Sequence, residues 1–474
     1  MPCKTTKVPD LPRPALAAMA AFACLGFTGA AHAQLPDLLD NQITRRVEES
    51  VAGQVVRRVE DSVEKNVQSA VDRAIDSQLA QAIDRTLAAA LVPITDGVFA
   101  GLDQITGRLP LPQLPLREVV VEDGWRAIDH EWVALIAPAD VQRLQQANVR
   151  VMEATPLEAS GLVMVRVVVS DEDNTAARAQ QLLRSLGATA ADRNHIYDEQ
   201  ANPLPEGPSP EAPAPAPAPQ PTSSRNAPVI GLIDTALNRN HPALAGASIV
   251  EKDFVAAGRV RPTAHGTGIA SLLVGAEKGH PGLLLNGRLF AASVFHQGES
   301  GANGATTSSL VSGLDWMAAQ KVQVVNMSLA GPPNEVLGAL IGAQSKRGML
   351  VVAAVGNDGP AARALYPAAF EPVVAVTAVD RTRKIYRWAN QGPQVDVAAW
   401  GVASTVARDK GGYGEESGTS YAAPIVAAAL AQRLADGAKS TSAALKAIVA
   451  SAEDLGPRGR DNTFGHGLVR LASQ

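Results

Sequence analysis

The chain has 474 residues, 46% of them apolar and 19% charged, and a formal net charge of −5. That length leaves room for roughly three domains and that apolar share for a large core, which excludes a wholly disordered chain. The acidic balance, with no local cluster of Lys and Arg among aromatics, excludes nucleic acid as a partner.

In residues 1–33, Lys4, Lys7 and Arg13 precede an apolar run from Ala15 to Ala31, and Ala31 and Ala33 flank His32. This is the pattern of a secretory signal peptide cut after Ala33; the run is short for a membrane anchor and ends in a small-residue site. Both cysteines, Cys3 and Cys24, fall inside it, so the mature chain has no thiol for catalysis, disulfides or metal binding. No later apolar run reaches membrane-spanning length without a charge. The expectation is a secreted or periplasmic protein with no integral membrane segment after signal removal.

Residues 34–112 read as a helical, partly flexible region. Apolar residues recur every fourth position from Ile43 through Val47, Val51 and onward to Leu87. Four residues overshoot a helical turn by roughly 40°, so the stripe winds round the helix too fast for a heptad coiled coil. A solvated spacer and self-association through 43–87 both fit.

Residues 117–198 read as a small α+β unit: EWVALIA a strand, ADVQRLQQA a helix, GLVMVRVVV a strand, NTAARAQQLLRSLG a helix, in the order of a split βαβ module. Residues 199–226 form a Pro/Ala-rich linker, whose stretch 203–224 is too rich in proline for helix or sheet. From 227 to 474 short apolar strands (VIGLID, RLFAASV, VQVVNMSL, MLVVAAVG, PVVAVTAV) alternate with helical patterns. Continuous apolar strands with crossover helices predict an α/β fold with a mostly parallel sheet covered on both faces. Ligands in such sheets bind beyond the carboxyl ends of the strands.

Four residues stand at such places. Asp234 ends the first apolar strand, His265 opens HGTGIA, Asn357 follows another strand in AAVGNDG, and Ser420 lies in SGTSYAAP at the start of an alanine-rich helix. Singly each is more often a cap or a core residue. In the order Asp, His, Ser they match one known solution to acyl transfer. With LIDTALNRNHPAL, HGTGIA, VVNMSLAG, AAVGNDG and SGTSYAAP in sequence, residues 227–474 resemble the subtilisin-like serine peptidases, the subtilases.

That resemblance implies a subtilisin-like fold and a secreted serine endopeptidase. Ser420 is the nucleophile, His265 the base and then the acid, and Asp234 the group that fixes the His265 tautomer. Asn357 and the Ser420 backbone N–H make the oxyanion hole. Ser328, Leu329, Ala330 and Gly331 form the substrate edge. The residue before Tyr366-Pro367, Leu365, bounds the pocket for the residue preceding the scissile bond, which predicts Ala or Val there over Phe or Arg. It also implies a ferredoxin-like propeptide, here 117–198, that aids folding and blocks the site. The partners expected are therefore protein or peptide substrates and the chain's own propeptide.

The sequence departs from the family pattern at Ala236, Gly268 and Ile425, none of which removes a catalytic group. After Gly275, AEKGHPGLLLNGR stands where many relatives carry a calcium loop, so that calcium site is not carried over; calcium elsewhere stays open, and no other metal or cofactor is expected. An α/β-hydrolase would need G-x-S-x-G and a His after the Ser, and Tyr421 and Ala422 break that motif. The remaining alternative is a catalytically silent subtilase-like binding protein of the cell envelope, from which the loss of at least one of the four site residues would be expected.

Overall fold

The computed structural model describes residues 117–199 and 226–470, apart from 145, 146, 148, 285, 299 and 300. The signal, the 43–87 stripe and nearly all of the linker lie outside the described residues. In the first segment, β1 (Glu118–Val120) and β2 (Arg126–Ile136) pair across a turn in which Gly124 takes φ 82°, left-handed backbone that favours glycine. One 3-10 turn (Pro138–Asp140) leads into α1 (Val141–Leu144), followed by β3 (Arg150–Leu157), β4 (Leu162–Val168), α2 (Ala176–Ser185) and β5 (Ala188–Glu199).

The four longer strands lie in the order β3-β4-β2-β5, all antiparallel. Alternation along the strands sends Trp132, Ala134 and Ile136, with Val163, Val165 and Val167, to one face under Ala179 and Leu183 of α2. The opposite face, with Val133, Leu135, Met164 and Ala190, joins a core shared with the second segment.

Two details depart from the sequence reading. Helix in ADVQRLQQA is confined, among the described residues, to 141–144 behind a Pro138-initiated 3-10 turn. Strands β3 and β5 carry no apolar alternation, because β5 buries Arg193, Asn194 and His195 against polar partners.

The second segment is a seven-stranded parallel sheet. Its strands are β6 (Val229–Asp234), β7 (Ser248–Asp253), β8 (Arg288–Ser293), β11 (Val324–Met327), β13 (Leu350–Ala354), β14 (Val373–Val379) and β15 (Val397–Trp400). They lie in the order β15-β14-β13-β11-β6-β8-β7. The five strands read from sequence are all present; β7, a half-exposed edge, and β15, four residues long, gave weaker signals.

After α3 (Pro242–Ala245), helices α4 (Ala264–Val274) and α7 (Thr419–Ala435) pack on one face of this sheet. Helices α5 (Thr307–Ala319) and α6 (Glu335–Lys346) pack on the other, and α8 (Thr441–Ser451) lies against α7. Three short strands stand apart from the main sheet: β9 (Phe295–Gln297), β10 (Asn303–Thr306) and β12 (Leu329–Ala330). A hairpin of β16 (Ser404–Ala407) and β17 (Tyr413–Glu416) precedes α7. Strand β5 pairs with both β10 and β12, so one eight-stranded sheet runs from the first segment into the second.

Candidate active site

Asp234 ends β6, where the chain leaves the sheet, and His265 is the second residue of α4. Both are buried, and the Nδ1–H of His265 donates to Asp234 Oδ1 at 2.8 Å and Oδ2 at 3.0 Å. The Thr235 N–H also donates to Asp234 Oδ1, at 2.7 Å. Burial alone would lower the His265 pKa; the Asp234 charge and hydrogen bond, with Glu199 and Glu416 adding, hold it above the ordinary histidine value. His265 Nε2 is buried and has no hydrogen-bond partner among the described residues. The imidazole thus has one nitrogen fixed by a carboxylate, while the other is turned into the site.

The loop carrying Asp234 and the helix carrying His265 are held together by two threonines. Gly266 N–H donates to Thr235 Oγ1 at 2.8 Å, and Asn238 N–H donates to Thr267 Oγ1 at 2.8 Å. The approach is so close that a Cβ on Gly266 would lie 2.5 Å from the Thr235 carbonyl oxygen.

Ser420 is the second residue of α7 and is fully buried, and the next residue, Tyr421, has its ring 5.7 Å from that of His265. Asn357 follows β13; its Oδ1 accepts from Thr419 N–H at 3.0 Å and Thr419 Oγ1–H at 2.9 Å, which fixes Nδ2 as the donating end of the amide. The motif SGTSYAAP also puts Pro424 inside α7. Proline has no N–H, so the carbonyl four residues back, that of Ser420, lacks its helical donor. Ser328 Oγ supplies it at 2.8 Å and is itself held by Asn326 Nδ2 at 2.9 Å.

The remaining predicted residues form the edge beside this pair. Leu329 and Ala330 of β12 pair with Glu199 and Asp198 of β5, and Gly331 exchanges backbone hydrogen bonds with Tyr366 at 2.9 and 3.0 Å. Leu365 is buried, with a methyl against the backbone of Gly356 beside Asn357. The side chain of Ser328, which precedes this edge, is bonded to α7.

On the other side of β5, Ala305 and Thr306 of β10 pair with Tyr197 and Ile196. Sequence reasoning missed the role of Thr235 and the tie of Ser328 to Ser420. The helix-interior proline of SGTSYAAP was the one available signal, since it announces an orphan carbonyl.

Polar contacts fix β5 on the second segment. Asn194 Oδ1 accepts from Ser308 N–H at the start of α5, and Asp192 Oδ2 from Glu335 N–H at the start of α6. Asn334 Nδ2 donates to the Arg193 carbonyl at 3.0 Å and to His195 Nδ1 at 3.1 Å. In return, Asp315 of α5 accepts from the N–H groups of Ala159 and Ser160. Among the described residues no group of three His, Cys, Asp or Glu is disposed to hold a metal ion. The stretch after Gly275 folds back on α4 through Leu283 and Leu284 N–H bonds to the Leu272 and Leu273 carbonyls.

A buried Asp–His pair, a helix-start serine whose neighbour Tyr421 packs near the His265 ring, and an asparagine tied to Thr419 stand at the carboxyl ends of strands of a parallel α/β sheet. Residues 225–467 match the model of the subtilase family, and the chain belongs to that family of serine peptidases. It is 32% identical over 214 residues to the minor extracellular protease Epr of Bacillus subtilis, covering 44% of this chain and 33% of that one. The chain thus spans about a third of the length of Epr. It is 28% identical over 305 residues to subtilisin E of Bacillus subtilis, covering 62% of this chain and 76% of that one. This second match takes in more of the chain than 225–467 and so reaches upstream of it. Among solved structures, the prenylagaramide maturation protease PagA is 24% identical with a TM-score of 0.46, covering 52% of this chain and 93% of that one.

Proposed function

We propose that this chain is an exported serine endopeptidase whose residues 117–198 act as its own inhibitor. The observation that carries the reading is the course of β5. Its last residues lie between β10 and β12, and Glu199 comes near enough to His265 for its charge to raise that residue's pKa. A strand held antiparallel between two edges, with Glu199 among the charges acting on His265, has the posture of a bound substrate or product.

In the reaction, Ser420 Oγ attacks the carbonyl carbon of the scissile bond as His265 Nε2 takes its proton. Asp234 holds Nδ1 protonated and stabilises the imidazolium. The oxyanion accepts from Asn357 Nδ2 and the Ser420 N–H, at the positive end of α7. His265 then returns its proton to the leaving amine, and water releases the acyl group by the same steps. Leu365 shortens the pocket for the residue before the cut, favouring Ala or Val. In a subtilisin, loss of the oxyanion asparagine lowers turnover by about 10² to 10³, and the same scale is expected for Asn357→Ala.

Export is supported by the N-terminal pattern and by the extracellular relative Epr. No helix among the described residues is long and apolar enough to cross a membrane. The test is a fluorophosphonate probe on the exported protein, with mass spectrometry of its N-terminus. Labelling at Ser420, absent in Ser420→Ala, and an N-terminus at Gln34 or beyond Glu199 are expected. A correctly folded chain that never labels would refute the activity.

A further inference from the structure

The side chains of β5 alternate between two environments as the strand reaches the site. Asp198 turns back to its own segment and pairs with Arg126 at 2.5 Å. Tyr197 and Glu199, two residues apart on the other face, are received by the second segment. The Tyr197 hydroxyl donates to the Pro332 carbonyl at 3.0 Å, and Asn303 Nδ2 donates to Glu199 Oε1 at 2.8 Å. Asn303 is the first residue of β10, while the Glu199 backbone pairs with Leu329 across the slot. The second carboxylate oxygen, Glu199 Oε2, is buried with no partner among the described residues, so the Asn303 amide is the side chain that receives this group.

We infer that Asn303 is a specificity-determining residue, its amide selecting a Glu or Gln in a peptide substrate at the place β5 now gives to Glu199. The inference rests on reading β5 as a product-like occupant, and it narrows the substrate class to chains with a carboxylate or carboxamide two residues before the cut, one position removed from the residue that Leu365 selects. An amide N–H aimed at that position gains a bond to a charged or carbonyl oxygen, while an Ala there leaves Asn303 unpaired and a Lys sets donor against donor. The His265 imidazole, which becomes positive during the reaction, favours the same negative side chain.

The test uses the full exported chain and peptides that differ only at this place, carrying Glu, Gln, Ala or Lys. The wild type is expected to cleave the Glu peptide about tenfold better in kcat/KM than the Ala peptide, the size of one charge-assisted hydrogen bond, and the Gln peptide about threefold better, the size of a neutral one. Asn303→Ala should bring the Glu-to-Ala ratio close to one, and Asn303→Asp should reverse the order in favour of Lys. In the uncut chain, Glu199→Ala should speed fluorophosphonate labelling about tenfold, Asn303→Ala equally, and the double variant no further.

A chain that labels at Ser420 yet shows the same Glu-to-Ala ratio with and without the Asn303 amide overturns the inference alone. So does a wild type that prefers Ala. A chain that neither labels nor cleaves any of the peptides overturns the peptidase reading, and the inference with it.

Discussion

Ser328 and Pro424 are distant in sequence, yet one hydroxyl replaces the N–H that the other residue lacks, and the carbonyl concerned belongs to Ser420. Removing the hydroxyl takes away the bond that stands in for the missing helical N–H, at a cost of about 0.5 to 1.5 kcal/mol. Ser328→Ala is therefore expected to lower Tm by several degrees and kcat several-fold, and adding Pro424→Ala, which restores a helical donor, should recover most of both. Thermal unfolding and steady-state kinetics of the single and double variants check this.

A second expectation concerns His265. It must be neutral to take a proton, and its pKa lies above the ordinary value, so activity should rise with pH through a midpoint above about 6.5. The protonated pair with Asp234 also stabilises the fold; that contribution is full below the unfolded pKa and is lost as pH rises through the folded one. Glu199 is part of the cause while β5 is docked, so in the uncut chain the pH limb of fluorophosphonate labelling should move to lower pH in Glu199→Gln. Leu365→Gly should widen cleavage towards Phe in a peptide library, each accommodated methylene being worth about 1 to 3 kcal/mol.

Asp234, His265, Asn357 and Ser420 were legible in the sequence because each sits in its own short motif at a strand end or helix start. Ser328's task was not, because the group it satisfies lies on another element.

Among the elements, α4 is held to the Asp234 loop by the Thr235 and Thr267 hydroxyls and by the bare Cα of Gly266. Gly266→Ala should separate them, costing about 1 to 3 kcal/mol by overpacking and lowering kcat more than it raises KM.

Strand β5 carries two oppositely shifted groups. Burial raises Asp192 to about 6, and burial lowers His195 to about 4. With ordinary values when undocked, the raised Asp192 strengthens docking as pH falls through about 6. The lowered His195 weakens docking as pH falls from about 6.5 towards 4. Asp192→Asn should thus make docking weaken more on acidification than in the wild type, and His195→Gln less. Labelling rates of the uncut chain between pH 7 and 4 read both.

The strands of the parallel sheet were readable as continuous apolar runs. Strand β5 was not, since its pairing is dictated by helix starts and edges supplied by the other segment, and a sequence window contains neither.

At the scale of the whole molecule, residues 117–198 offered as a separate chain should inhibit peptide hydrolysis, because β5 brings the helix-capping side chains Asp192 and Asn194 with it. Unchanged hydrolysis at excess of that segment would identify it as a domain of another role. The two-segment organisation was visible in composition alone, through the proline-rich tether. The joining of the segments into one sheet was not, because it arises from two short strands, β10 and β12, that carry little pattern of their own.

That joining has a consequence for what can be cut. Neighbouring strands stand about 4.8 Å apart, so the edges of β10 and β12 that flank β5 are separated by only about 10 Å. A helix with its side chains is about 10 to 12 Å across and keeps its N–H and C=O groups bonded internally, so it can neither enter nor pair. A hairpin already has a neighbour on one side. Only a stretch of chain free on both edges can take the place of β5. Among folded targets, the bonds cleaved should be those whose surroundings open most cheaply, the same segments that exchange their amide hydrogens fastest.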